Sequence, residues 1–290
     1  MSEMQLGMSG ASKEGRIARS WRLTKAAWVV VRADRSLRIL ALAAALVGVL
    51  GVVAIFAIGG ISSQRRASGE HFVVVALVFV YPLTFLGAFV NTAIAAAAAA
   101  ALDGRHLSVG EALAVPWRRI GQIAVWALIA AIVGYVLEQL TSRLPFGGSI
   151  AARLVGLIWS LASFFVIPVL ALEDRSATDS LRRSAHVIKE RWGEGVSGSI
   201  MISAWTVLVT ISLLIVFAVC LAVTFETPVA RDLVIVLGAL ALLSIVAIQL
   251  VVRQTFAVAL YRYATTGEAP GPFEEDDLRS PFSRKRGLFG

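Results

Sequence analysis

The chain has 290 residues, of which 58% are hydrophobic and 16% charged, with a formal charge of +8 and a mean hydropathy of +0.79. Soluble domains run at about 45–50% apolar and about 25% charged, so this composition argues against an ordinary soluble domain and for burial in lipid. The apolar residues gather in six continuous stretches of Ala, Leu, Val and Ile, each reaching the roughly 20 residues that cross a bilayer as a helix. A lipid-facing open sheet would leave backbone groups unpaired, and a barrel would show short alternating segments. The expected fold is therefore all-α, a polytopic membrane helix bundle of six transmembrane helices.

In chain order, residues 1–36 form a basic segment. Between 20 and 35 it mixes Trp21, Leu23, Trp28, Val29 and Val31 with Arg22, Lys25 and Arg32, a composition suited to an interfacial helix. The charged region is too long for a cleaved signal peptide and no small-residue cleavage site follows the first apolar run, so that run is expected to remain attached. The six-span domain is assigned to 37–263, beginning with a span at 37–59. The second span, 72–102, is longer than a membrane requires and ends in a nearly pure Ala run after Asn91 and Thr92. It should tilt, kink near Pro82 or project beyond the lipid, and its small side chains should admit neighbouring helices closely. Ser108 and Glu111 then stand at capping-box spacing for a short helix ending near Arg118 and Arg119.

Spans three and four, 120–140 and 150–172, are joined by a turn containing Pro145, Gly147 and Gly148. Next, Leu181, Ala185, Ile188 and Trp192 recur at helical spacing within a charged stretch, which predicts a second amphipathic interfacial helix with those residues on its apolar face. The fifth and sixth spans are expected at 199–225 and 233–252, and a disordered polar tail at 264–290. Of the 27 Lys and Arg residues, 22 fall on the two termini and the second and fourth connections. Positive residues favour the cytoplasmic side, so this asymmetry places both termini in the cytoplasm of a bacterial-type inner membrane and requires an even number of spans.

The two longer cytoplasmic connections look alike. Ala101-Leu102-Asp103-Gly104-Arg105 leads to Glu111-Ala112-Leu113, and Ala171-Leu172-Glu173-Asp174-Arg175 leads to Asp179-Ser180-Leu181. Each passes a Trp, Trp117 or Trp192, before the next span, and the segment with Trp28 is a degenerate third copy. The bundle then reads as three hairpins, each introduced by an amphipathic interfacial helix. On Ser163-Phe164-Phe165-Val166-Ile167-Pro168-Val169-Leu170, Glu173, Ser180-Leu181 and Trp192-Gly193-Glu194, the chain resembles a family of uncharacterised prokaryotic integral membrane proteins over 20–263. More distantly it is similar to the membrane domain attached to some bacterial glycerophosphodiester phosphodiesterases, in which an amphipathic helix precedes a Trp-Gly pair. That resemblance implies a six-helix domain in a lipid-related context. It implies no catalysis, since the chain holds no hydrolase barrel or metal-binding carboxylate cluster.

Candidate chemistry is sparse. His71, His106 and His186 have no His, Cys or carboxylate at zinc-ligand spacing, phosphate loops and nucleophile elbows are absent, and the lone Cys220 excludes an intrachain disulfide. No cofactor is expected and the chain is read as non-enzymatic. Asn91 and Gln249 are the candidate intramembrane polar residues, marking either a solute route or a hydrogen bond between helices. Arg182, Arg183, Lys189, Arg191 and Trp192 are the candidate inner-leaflet contacts. The expected partner is a bilayer with anionic inner-leaflet lipids, with a membrane protein as a possible second partner. The basic residues flank the spans, which explains the charge without nucleic acid. The functional expectation is a scaffold or accessory factor, the alternative a transporter or channel for a small or lipid-like solute.

Overall fold

A computed structural model describes residues 16–64, 69–143, 146–192, 227–275 and 278. The described residues are helical and contain no strand. The helices are α1 (Arg16–Ala33), α2 (Arg35–Gln64), α3 (Gly69–Leu102), α4 (Val109–Arg118), α5 (Ile120–Arg143), α6 (Phe146–Ala162), α7 (Val166–Leu172), α8 (Ala177–Trp192) and α9 (Pro228–Thr266). Four stretches are long and apolar enough to cross a membrane: Phe79–Leu102, Ile120–Thr141, Leu154–Leu172 and Arg231–Thr266. They mark the chain as a membrane protein. The expected first span falls within the 30-residue helix α2, and the expected fifth, 199–225, lies outside the described residues.

Helix α3 is the hub, packing against α1, α2, α4, α5, α7 and α9. Its Ala run is the reason. Every residue from Ala93 to Ala100 is buried, because a methyl side chain lets several helix backbones approach at once. The helix continues through Pro82. The fourth span instead breaks into α6 and α7 at the turn Ser163–Phe165. Pro168 has no N–H to give the carbonyl four residues back and its ring would crowd it, so the chain turns there before the helix resumes.

Both connecting helices fold back along the helix before them. The reciprocal capping box of α4 forms as its spacing predicts: Glu111 N–H donates to Ser108 Oγ at 3.2 Å and Ser108 N–H to Glu111 Oε2 at 2.7 Å. From that start α4 climbs back along α3 until Trp117 meets Phe89 edge to face, with ring centroids 5.4 Å apart. Helix α8 likewise starts at Ser176, whose Oγ accepts Asp179 N–H at 3.1 Å. It climbs back along α7 until Ser184 reaches Phe165.

Two expectations are revised. The buried face of α8 is Ala177, Ser180, Ser184, Val187 and Ile188, while Leu181 and Ala185 are only half-buried. The helix is thus rotated so that two small hydroxyls enter the packed side, each already satisfied: Ser180 Oγ donates to Ser176 O, and Ser184 Oγ accepts Phe165 N–H. The stretch expected as a disordered tail from 264 begins as the last turn of α9, capped by Gly267 at φ 82°. Beyond it Phe273 and Leu278 are buried in the core, and Gly271, at φ 58°, lies so close that an added Cβ would sit 3.1 Å from Leu102 Cδ2. Two apolar residues suffice to dock a polar segment; residues 279–290 lie outside the described residues.

Candidate functional site

While Arg231 and Asp232 pair at the start of α9, the charged contacts that join separate elements among the described residues gather at one end of the bundle, where α3, α7 and α9 finish and α2 and α5 begin. Here α9 places Tyr261 and Arg262 side by side. Arg262 forms a two-pronged pair with Asp103, including a 2.9 Å bond between Nη2 and Oδ2, and Asp103 also takes Arg105 at 3.0 Å. Tyr261 OH donates to Glu173, which in turn pairs with Arg175 and lies 3.6 Å from Arg183 Nε. Arg119, at the entry to α5, donates to the Glu173 carbonyl and lies 3.7 Å from Asp174.

The two halves of this arrangement are built alike. In each, an acidic residue ends a spanning helix, an Arg two positions later folds back on it, and one of two adjacent α9 residues clamps it. A Ser with an acid three positions on then caps the fold-back helix. This shared construction supports the repeat seen in the two connections.

Asp34, only 2% exposed, joins the remaining corner. Its carboxylate caps α2, accepting Ser36 N–H at 2.8 Å, Leu37 N–H at 3.2 Å and the Ser36 hydroxyl at 2.5 Å, while His106 Nδ1 sits 2.7 Å away. Burial alone would raise its pKa, but the bonds from His106, Ser36 and Leu37 outweigh it and hold the carboxyl below its ordinary value. Glu173 is governed in the same way: burial pushes it up, and Tyr261, Arg175 and Arg183 bring it below the usual range. Asp103 is lowered mainly by its bond to Arg262. These carboxylates are ionised and fully engaged, which suits holding helices together. A general acid or base needs a pKa near its working pH, and these are displaced away from it.

The residues singled out from the sequence are dispersed over this frame. Asn91 donates to Gly87 O of its own helix at 2.8 Å, and Gln249 lies half-buried on α9, which packs against α3. Arg182 is exposed and 3.5 Å from Asp179 of its own helix, while Arg183 turns inward to Glu173. Lys189 is exposed; Arg191 and Trp192 belong to α8, and their side chains lie outside the described residues. Sequence reasoning missed Asp34, Asp103, Glu173, Tyr261 and Arg262. The available signal was an acid just after the second and fourth apolar stretches, together with a Tyr-Arg pair near the end of the last one.

No curated protein and no solved structure matches the chain. Residues 69–271, which run from the start of α3 to just past the end of α9, match a family of unknown function, DUF6159. That match takes in both fold-back connections and the Tyr261-Arg262 clamp, and the chain belongs to this family.

Proposed function

We propose that the chain is a non-enzymatic, six-span protein of a bacterial-type cytoplasmic membrane, serving as a scaffold or accessory factor at the inner leaflet with both termini in the cytoplasm. The observation that carries this reading is the end network. Asp103 is tied to α9 through Arg262, Glu173 to α9 through Tyr261, and Asp34 to the connection after α3 through His106, and the centre beside them is filled by the buried Ala run. Chemistry or conduction needs a reactive group or a polar passage, and these residues are committed to packing.

The six-span topology is supported by where the chain leaves and returns. Helix α8 follows directly on the polar end, whereas α9 starts at the opposite end, since its last turns hold Asp103 and Glu173. Between α8 and α9 in sequence, residues 199–225 are predominantly apolar and carry no charged side chain, a composition suited to a fifth span. The excess of Lys and Arg on the polar end supports placing that end in the cytoplasm.

One feature favours transport as a second reading: the broken fourth span, since interrupted helices line many transporter sites. The Phe165 N–H at the break, however, donates to Ser184 Oγ at 2.9 Å, so the break serves as a docking point for α8. The deciding experiment is crosslinking with mass spectrometry in native membranes alongside reconstitution of the purified chain in vesicles. A reproducible protein or lipid partner with no turnover and no solute flux is expected; solute flux or substrate turnover would overturn the reading.

A further inference from the structure

The surface of the bundle changes character at one level, and the change is visible on five helices independently. Large exposed apolar side chains begin at Ile39 on α2 and Ile120 on α5, and end at Leu86 on α3, Ile158 on α6 and Ile248 on α9. Toward the polar end from that level, the exposed large apolar residues among those described are Trp28, Val29 and Trp117. The interior does not change in the same way: Ala93 to Ala100, Val166, Val169, Leu170 and Val258 to Leu260 are all buried there. A lipid-immersed helix bundle shows its apolar side chains outward, whereas a water-immersed one hides them. The inner third of this bundle follows the second pattern.

The registers agree. A Cβ on Gly48 would lie 3.4 Å from Leu243 Cδ2, which fixes the crossing of the antiparallel helices α2 and α9. Ten residues toward the polar end on each stand the exposed Arg38 and Arg253, so both lie about 15 Å from that crossing, at a common level. Trp117 and Arg118 end α4 opposite Phe89, which is 13 residues before Leu102, or about 20 Å.

Resting on the membrane reading above, we infer that this level is where the headgroup layer of the inner leaflet meets the protein. Arg38, Arg118 and Arg253 take lipid phosphate oxygens, Trp117 lies within the layer, and the inner ends of α3, α7 and α9, wrapped by α1, α4 and α8, stand in water as a packed head. Arginine beside an exposed Trp at the edge of an apolar surface matches the chemistry of an anionic interface, in which the guanidinium binds phosphate and the indole spans the apolar and wet layers. The stretch of α3 beyond Phe89 then projects from the membrane, which accounts for its excess length.

The test uses the full chain carrying Cys220→Ser, reconstituted in vesicles of phosphatidylcholine with one-third phosphatidylglycerol. Nitroxide labels are placed singly at Glu111, Leu128, Val246 and Thr265, and their depth is read from collision with oxygen and a water-soluble nickel chelate. Labels at Leu128 and Val246 should read as hydrocarbon, and those at Glu111 and Thr265 as water. Depth at Glu111 or Thr265 equal to that at Leu128 would overturn the head. Native mass spectrometry of the retained lipids then tests the belt. Enrichment of phosphatidylglycerol should fall at least threefold in Arg38→Gln/Arg118→Gln/Arg253→Gln; enrichment unchanged in this triple variant would overturn the phosphate contacts. Flux or turnover by the same vesicles would remove the scaffold reading while leaving the boundary in place.

Discussion

The two ends of helix α9 show opposite solutions to the same problem. Toward its start, Val229, Leu233, Val236, Leu237 and Leu240 are exposed by 55% or more. Toward its finish, the run from Ala257 to Tyr261 is buried almost completely and Tyr261 and Arg262 are locked to carboxylates on other helices. In lipid, an apolar surface gains little by packing against another helix, because the tails are equally apolar, so association there depends on close fit and hydrogen bonds. The stability that holds the helices in register is therefore concentrated at the polar end, where Ala-mediated packing and ion pairs coincide.

Substitutions should separate these regions sharply. The largest effect is expected from Ala98→Leu, which forces three extra carbons into a fully buried site where α3 meets its neighbours. Overpacking of this kind costs about 3 kcal/mol, and thermal unfolding in detergent should show it as a clear fall in Tm. Acid comes next. Asp34, Asp103 and Glu173 are held below ordinary values of 3.8, 3.8 and 4.5. Their contribution is fully present above those values and is lost as pH falls through the lower folded ones. Tm should hold steady down to about pH 5 and drop below about pH 4; a Tm that declines between pH 8 and 6 instead would point to histidine and away from these carboxylates.

A smaller effect is expected from Ser184→Ala, which leaves the buried Phe165 N–H unpaired at a cost of about 1–2 kcal/mol. Limited proteolysis should then cut near α8 sooner than in the parent. At the bottom of the scale, Leu237→Ala on the exposed half of α9 should shift stability by no more than about 0.5 kcal/mol, because lipid replaces the lost side chain. A Leu237→Ala cost as large as that of Ala98→Leu would erase the distinction between the two halves.

Much of the frame was legible in the sequence because it rests on local rules. The capping box at Ser108 and Glu111, the small-residue character of the Ala run and the likeness of the two connections all follow from spacing, and each is realised in the structure. What could not be read depends on distant residues meeting. Tyr261 reaches a residue 88 positions earlier and Arg262 one 159 positions earlier, and no local pattern announces either. On α8, Ile188 is buried and Leu181 packs in part, as helical spacing predicts, but apolarity gives no sign of Ser180 and Ser184, which are small enough to pack and bring their own acceptor or donor. Asn91 bonds within its helix because a carbonyl one turn back is nearer than any neighbour's group. Phe273 and Leu278 were hidden by the polar residues around them.

The most direct test of the account is a double-mutant cycle between Glu173 and Tyr261 in the full chain, using Glu173→Gln and Tyr261→Phe and thermal or denaturant unfolding in detergent. A part-buried, charge-assisted bond joining the ends of α7 and α9 predicts that each single change destabilises by about 1.5–3 kcal/mol, with a coupling of at least about 1 kcal/mol between them. Strictly additive losses would contradict the claim that this contact clasps the polar end.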